Sequence, residues 1–191
     1  MERSALVTGS TDRVAEIGDA LEKAGFTVHR ADPQGRAEPP ASVEPGTLSC
    51  YVQLPRHAET TGKTLVERVR QFLAEGLLTR FDTASAVLPL LAPDACVVLV
   101  AGNVPTGGTP DDHHARVDLL RVLARAVLAE LDETDVKAIV VGSDRTAAEI
   151  AEIAWNRGDD PGRKSAKVAA IDPGLSYADW QREMLSMTTE D

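Results

Sequence analysis

The chain has 191 residues, 43% apolar and 26% charged, which suffices for one domain with a full core. Its 30 acidic and 20 basic side chains give a formal charge of −10, opposite in sign to the basic excess or stripe of a nucleic-acid binder. No apolar run reaches the roughly 18–20 residues of a membrane span, so neither nucleic acid nor membrane is expected as a partner.

Behind the opening Met-Glu-Arg-Ser there is no apolar signal region, and a cytoplasmic location is expected. Residues 4–8 (Ser-Ala-Leu-Val-Thr) read as a short buried strand ending at Gly9. From Asp12 to Ala24 the apolar residues Val14, Ile17, Leu21 and Ala24 keep a one-faced helical spacing. Gly25 stops this helix, and Phe26–Ala31 reads as a second strand. Residues 33–47 are rich in proline and glycine and read as loop. Leu48–Leu54 is a third strand, broken by Pro55.

A long helical region follows from Thr60 to Leu91, interrupted near Gly76 and ended by Pro93-Asp94. Ala95–Ala101 is an unbroken apolar run, as in a parallel strand covered on both faces. Residues 102–112 read as a Gly/Pro-rich loop, 113–131 as a second long helix and Val136–Val141 as a strand. A helix at 145–157, a loop at 158–165, a strand at 167–171 and a last helix at 177–187 complete the chain. Cys50 and Cys96 fall in apolar strand-like runs and read as buried reduced thiols. The four histidines and two cysteines show no ligand spacing, so no metal is expected.

Strands alternating with helices predict an α/β fold, a doubly wound parallel sheet in three α/β/α layers with about six to seven strands. One domain is expected over residues 1–191, without internal repeats.

The segment Ala5-Leu6-Val7-Thr8-Gly9-Ser10-Thr11 and the helix behind it form a strand, a Thr-Gly turn and a helix. Phe81–Leu91, the strand 95–101, the helix 116–131 and the strand 136–141 follow in order. On these segments the chain resembles the short-chain dehydrogenase/reductase (SDR) family over residues 4–157. The resemblance implies a Rossmann-like fold, with the third βα unit collapsed into 33–47 and the substrate insert before the last strand shortened.

The family's cofactor turn is Thr-Gly-x-x-x-Gly-x-Gly, whose later glycines allow close approach of a pyrophosphate. Here Thr8 and Gly9 match. The later positions hold Arg13 and Ala15, or Asp12 and Val14 in a register one residue shorter. Either way a side chain occupies space the phosphates would use. Asp12 reads as a helix cap. Arg13 offers a guanidinium that could hold a phosphate without close backbone approach. Asp32 stands where the family places its ribose-binding acid, which would favour NAD over NADP, and it also reads as an ordinary Asp before Pro33. Thr8, Gly9, Arg13 and Asp32 are thus the cofactor candidates. No cofactor is expected, and NAD(H) is the one implied if any binds.

The catalytic set implied by the family is a tyrosine, a lysine four residues on, a serine and an asparagine. Aligned on the helix ending at Leu131, the tyrosine and lysine positions fall near His113 and Val117. The serine position falls on Ala101 or Gly102, and the asparagine position on Gly76. The only tyrosines are Tyr51 and Tyr177, and the sequence contains no Tyr-x-x-x-Lys. His113 or His114, behind Asp111 and Asp112, could serve as acid/base or hold a divalent metal. The same residues read equally as a solvated helix start. Arg56 and His57 stand where the family's Asn-Asn-Ala-Gly turn passes the nucleotide, and either obstruct the cleft or line it for another ligand.

The helix 116–131 is apolar around more than half its circumference, more than one sheet face covers. In the resembled family this helix and the long helix before it form a two-fold interface. A homodimer, or a heterodimer with an SDR relative, is therefore expected through helices 60–91 and 113–131. A charge at Leu123 is expected to split it. The alternative cover is the helix 177–187 with Trp180 and Met184. The preferred reading is a catalytically inactive SDR-like scaffold or regulatory subunit. The others are a divergent NAD(P)-dependent oxidoreductase with His113 or His114 as acid/base, and a small-molecule sensor using the remodelled cleft.

Overall fold

A computed structural model describes residues 3–9, 11–31, 43–55, 61–71, 74, 76, 78–102 and 110–158, with backbone only at 65, 68, 69 and 110–116. The described elements are β1 (Arg3–Thr8), α1 (Arg13–Lys23), β2 (Phe26–Arg30), β3 (Leu48–Gln53), α2 (Leu65–Gln71), α3 (Thr79–Val87), β4 (Leu91–Val100), α4 (Pro110–Glu130), β5 (Lys137–Val141) and α5 (Ala147–Trp155). The strands are all parallel and stand in the order β2-β1-β3-β4-β5. This is the expected doubly wound α/β sheet, with five strands among the described residues. The strand expected at 167–171 and the helix at 177–187 lie outside them.

The apolar runs become central strands because both sheet faces are covered. Ala5, Val7, Cys50, Val52, Cys96, Val98 and Val100 pack beneath α1 and α5. Leu6, Tyr51, Val97 and Leu99 pack beneath α3 and α4. Alternate residues of each strand thus serve opposite layers. The register shifts between Leu48 and Cys50, so Leu48 joins Tyr51 on the α3/α4 side. Cys50 and Cys96 are buried free thiols, in register on neighbouring strands.

Helix α1 buries Val14, Ile17, Gly18 and Leu21. Gly18 leaves room for the Arg30 guanidinium, which crosses the helix to Asp19 (2.8 Å) and Glu22 (2.7 Å). Helix α5 opens on a capping box in which Thr146 and Glu149 each satisfy the other's backbone N–H. At its end Trp155 meets Phe26 edge-on, with ring centroids 5.8 Å apart, and carries the Arg3 guanidinium over its face.

Two boundaries differ from the sequence reading. Pro93-Asp94 does not end the long helical region, because a 3₁₀ turn at Leu88–Leu90 has already closed it and β4 begins at Leu91. Helix α4 begins at Pro110, three residues earlier than expected. Proline suits the first turn of a helix, where its missing N–H has no partner to lose.

Candidate functional site

The chain winds outward in both directions from β1 and β3, which makes the space at their carboxyl ends the topological switch point. Open α/β sheets present their ligand crevice there. Thr8 ends β1 at this place and its carbonyl accepts the Leu54 N–H at 2.8 Å. Gly9 follows with φ +141°, a conformation side chains rarely adopt. A Cβ at Gly9 would stand 2.6 Å from Leu54 Cβ. The glycine therefore admits Leu54 against the turn.

The start of α1 is spoken for by protein groups. Arg13 donates from Nη1 to the Ser143 carbonyl at 3.0 Å and from Nη2 to the Arg145 carbonyl. It thereby ties α1 to the loop between β5 and α5. Asp12 does not cap the helix as expected. Its backbone is already helical (φ −57°, ψ −20°) and its side chain makes no capping bond, whereas a capping side chain needs an extended backbone to reach the free N–H groups. Thr11 Oγ1 is sealed and unpartnered among the described residues.

Beside this turn lies a buried polar cluster that the sequence reading missed. Tyr51 and Gln53 project from β3 and Arg80 from α3, with Thr8 at the end of the chain of contacts. Gln53 Nε2 donates to the Tyr51 hydroxyl (3.0 Å) and to the Arg80 carbonyl (2.8 Å). The hydroxyls of Tyr51 and Thr8 are 3.0 Å apart. Either hydroxyl can donate to the other. Arg80 donates from Nε to Gln53 Oε1 (3.0 Å), and from Nη2 to the carbonyls of Gln53 (3.1 Å) and Val100 (3.0 Å). One guanidinium thus clamps the carboxyl ends of β3 and β4.

Burial sets the ionisation of this cluster. It pushes the Tyr51 phenol up to about 12, against the smaller opposing pull of the Thr8 and Gln53 hydrogen bonds and of the Arg80 charge. It pushes Arg80 down to about 10, with the Tyr51 phenol working the other way. The neutral phenol stabilises the fold fully below its ordinary value of 10.0, and this contribution is lost as pH rises through about 12. Arg80 runs in the opposite sense over the same range. The direct readout is therefore the phenolate absorbance of a Tyr177→Phe variant, in which Tyr51 is the sole tyrosine. Its midpoint is expected near pH 12, and a midpoint at 10.0 in the folded chain would contradict the buried network.

Of the other candidates, Asp32, Arg56 and His57 lie outside the described residues. His113 and His114 lie in the first turns of α4, within the helix expected from 113, and only their backbone is described. Val117 lies half-buried on the same helix. Ala101 is buried at the end of β4, its N–H given to the Val141 carbonyl at 2.9 Å. Among the described residues no group of three or more His, Cys, Asp or Glu could hold a metal ion. No helix among them is long and apolar enough to cross a membrane.

No family model matches the sequence, and no curated protein sequence matches it. Solved structures do match. A variant of a Serratia marcescens short-chain dehydrogenase/reductase superposes with a TM-score of 0.57 at 17% identity, covering 89% of this chain and 94% of that one. The fold is that of the short-chain dehydrogenases/reductases. A small-chain dehydrogenase matches this SDR-like fold with a TM-score of 0.54 at 17% identity, over 79% of this chain and 87% of that one. BdcA of E. coli matches with a TM-score of 0.52 at 12% identity, over 89% and 96%. At such identities the likeness is one of fold.

Proposed function

We propose that this chain is a catalytically inactive SDR-like protein of the cytoplasm that acts by assembling with itself or with a catalytic relative. The observation that carries the reading is the fate of the tyrosine. The sequence has no Tyr-x-x-x-Lys, and Tyr51, placed near the crevice, is sealed at 1% exposure with its proton held to about 12. A general acid works best with a pKa near the operating pH and must reach its substrate.

The crevice wall supports the same reading for the cofactor. Gly9 is taken up by Leu54, and Arg13 spends two donors on loop carbonyls. These residues do not fit a pyrophosphate, which needs open backbone N–H groups and close approach. Assembly is supported by apolar side chains left uncovered. Leu119 and Val122 on α4 are only half-buried, Leu78 at the start of α3 is 57% exposed, and Val66 on α2 is 77% exposed.

Titration with NADH and NADPH, followed by calorimetry and by melting temperature, tests the reading. No binding and no shift is expected up to millimolar cofactor. Binding tighter than about 100 μM would raise the melting point measurably at millimolar cofactor. It would replace this proposal with the divergent oxidoreductase.

A further inference from the structure

The outer side of the α1/α5 layer carries an open groove of about 620 Å³ between the two helices. Ala20 and Ala24 of α1 and Ala147 and Ala151 of α5 line it. Side chains this small let a further helix lie close against both. Trp155, the last residue of α5, stands at the groove's end. Its ring is held in place. Phe26 meets it edge-on at 5.8 Å, Arg3 covers it at 4.1 Å, and a Cβ at Gly25 would stand 3.5 Å from it. The ring is nevertheless 44% exposed. A fixed, half-open aromatic beside a methyl-lined groove is a formed surface with little to order on binding.

The chain itself supplies a matching segment. The described residues end at Gly158, just beyond Trp155, and residues 159–191 follow. Within them the sequence predicts a helix at 177–187. Tyr177, Trp180, Met184 and Met187 fall at i, i+3, i+7 and i+10, one stripe of such a helix. Large side chains suit a floor of methyls, and methionine fills irregular gaps and packs on aromatic rings. As helix, Trp180 to Met187 rises roughly 10 Å and Glu16 to Ala24 roughly 12 Å, so stripe and groove match in length. Residues 159–176 reach up to roughly 60 Å when extended, so the tether is long enough.

We propose that the segment 177–187 of the same chain docks in the α1/α5 groove, with Trp180 and Met184 on the alanine floor beside Trp155. A groove roughly 12 Å long does not by itself hold two separate chains, whose stable contacts bury roughly 800 Å² on each side. A tethered segment needs less, because its linker supplies an effective concentration of roughly millimolar. Docking here leaves the α4 flank uncovered by this segment. The inference does not rest on the proposed assembly.

The test uses the full chain labelled with nitrogen-15 and carrying a nitroxide at Glu183→Cys. Cys50 and Cys96 are sealed at 0% exposure, so the label goes to the new thiol. The nitroxide is expected to broaden the amides of residues 16–24 and 147–155 and to spare those of α3 and α4, on the opposite face of the sheet. Adding Ala148→Arg, at an exposed residue of the groove, should reduce that broadening at least about twofold. Without any label, Trp180→Ala should shift the same amides and lower the melting temperature by about 4–10 °C. Broadening centred on α4, broadening absent from both stretches, or broadening carried equally from a spin-labelled chain to an unlabelled neighbour would each overturn the proposal. So would a Trp180→Ala chain that matches the wild type in melting temperature and in the amides of α1 and α5.

Discussion

Gly9→Ala should lower the melting temperature by about 6–15 °C without any cofactor in solution. Two costs combine. At φ +141° an alanine is strained, by roughly 1–3 kcal/mol. Its Cβ would also stand 2.6 Å from Leu54 Cβ, and relieving such an overlap costs roughly 1–3 kcal/mol more. The neighbour cannot swing away, because the clashing atom is the first carbon of a side chain 1% exposed. Leu54→Ala keeps that Cβ and so should not rescue Gly9→Ala. The control separates two roles of the same glycine. If it served only a bound pyrophosphate, Gly9→Ala would leave the free protein's melting point in place.

The architecture was legible because β3 and β4 carry long apolar runs and a glycine stops the first helix. Gly25, with φ +96°, ends α1 where expected, and the apolar run from Ala95 supplies the second half of β4. What stayed hidden arises where polar residues occupy apolar positions. Arg80, Thr83, Ala84 and Val87 fall at i, i+3, i+4 and i+7, and all four are buried. The spacing that puts Ala84 and Val87 in the core puts Arg80 there too, yet an arginine on a helix is ordinarily solvated. Tyr51 and Gln53 share one parity of β3 in the same way. A reading that followed periodicity before residue type would have brought these three together at the sheet edge. Arg13 could not be resolved so, since its partners Ser143 and Arg145 lie more than a hundred residues away.

Leu123→Glu should abolish cooperative unfolding, whereas Leu119→Glu should leave the fold intact and halve the mass of a dimer. The sequence alone made Leu123 the natural position to test assembly. The fold removes it from that role, since Leu123 is 3% exposed and packs against the sheet with Leu120, Ala124 and Val127. A glutamate there forfeits about 2–3 kcal/mol of apolar burial and adds several more for an unpaired buried carboxylate. That sum rivals the whole stability of a domain, about 5–15 kcal/mol. Loss of a larger species in this variant would report unfolding, not an interface. Leu119 and Val122 sit three residues apart on the half-buried flank of α4, away from the stripe that faces β4 and β5. A charge on this half-buried flank can turn toward water and costs a monomer far less than one at the sealed Leu123. In a self-associated pair it would place two carboxylates in an apolar contact, where each lacks a partner. Light scattering with circular dichroism on Leu119→Glu and Val122→Glu therefore reads assembly apart from folding. A folded variant of unchanged mass, or a wild type already monomeric, would remove the self-assembly half of the proposed function.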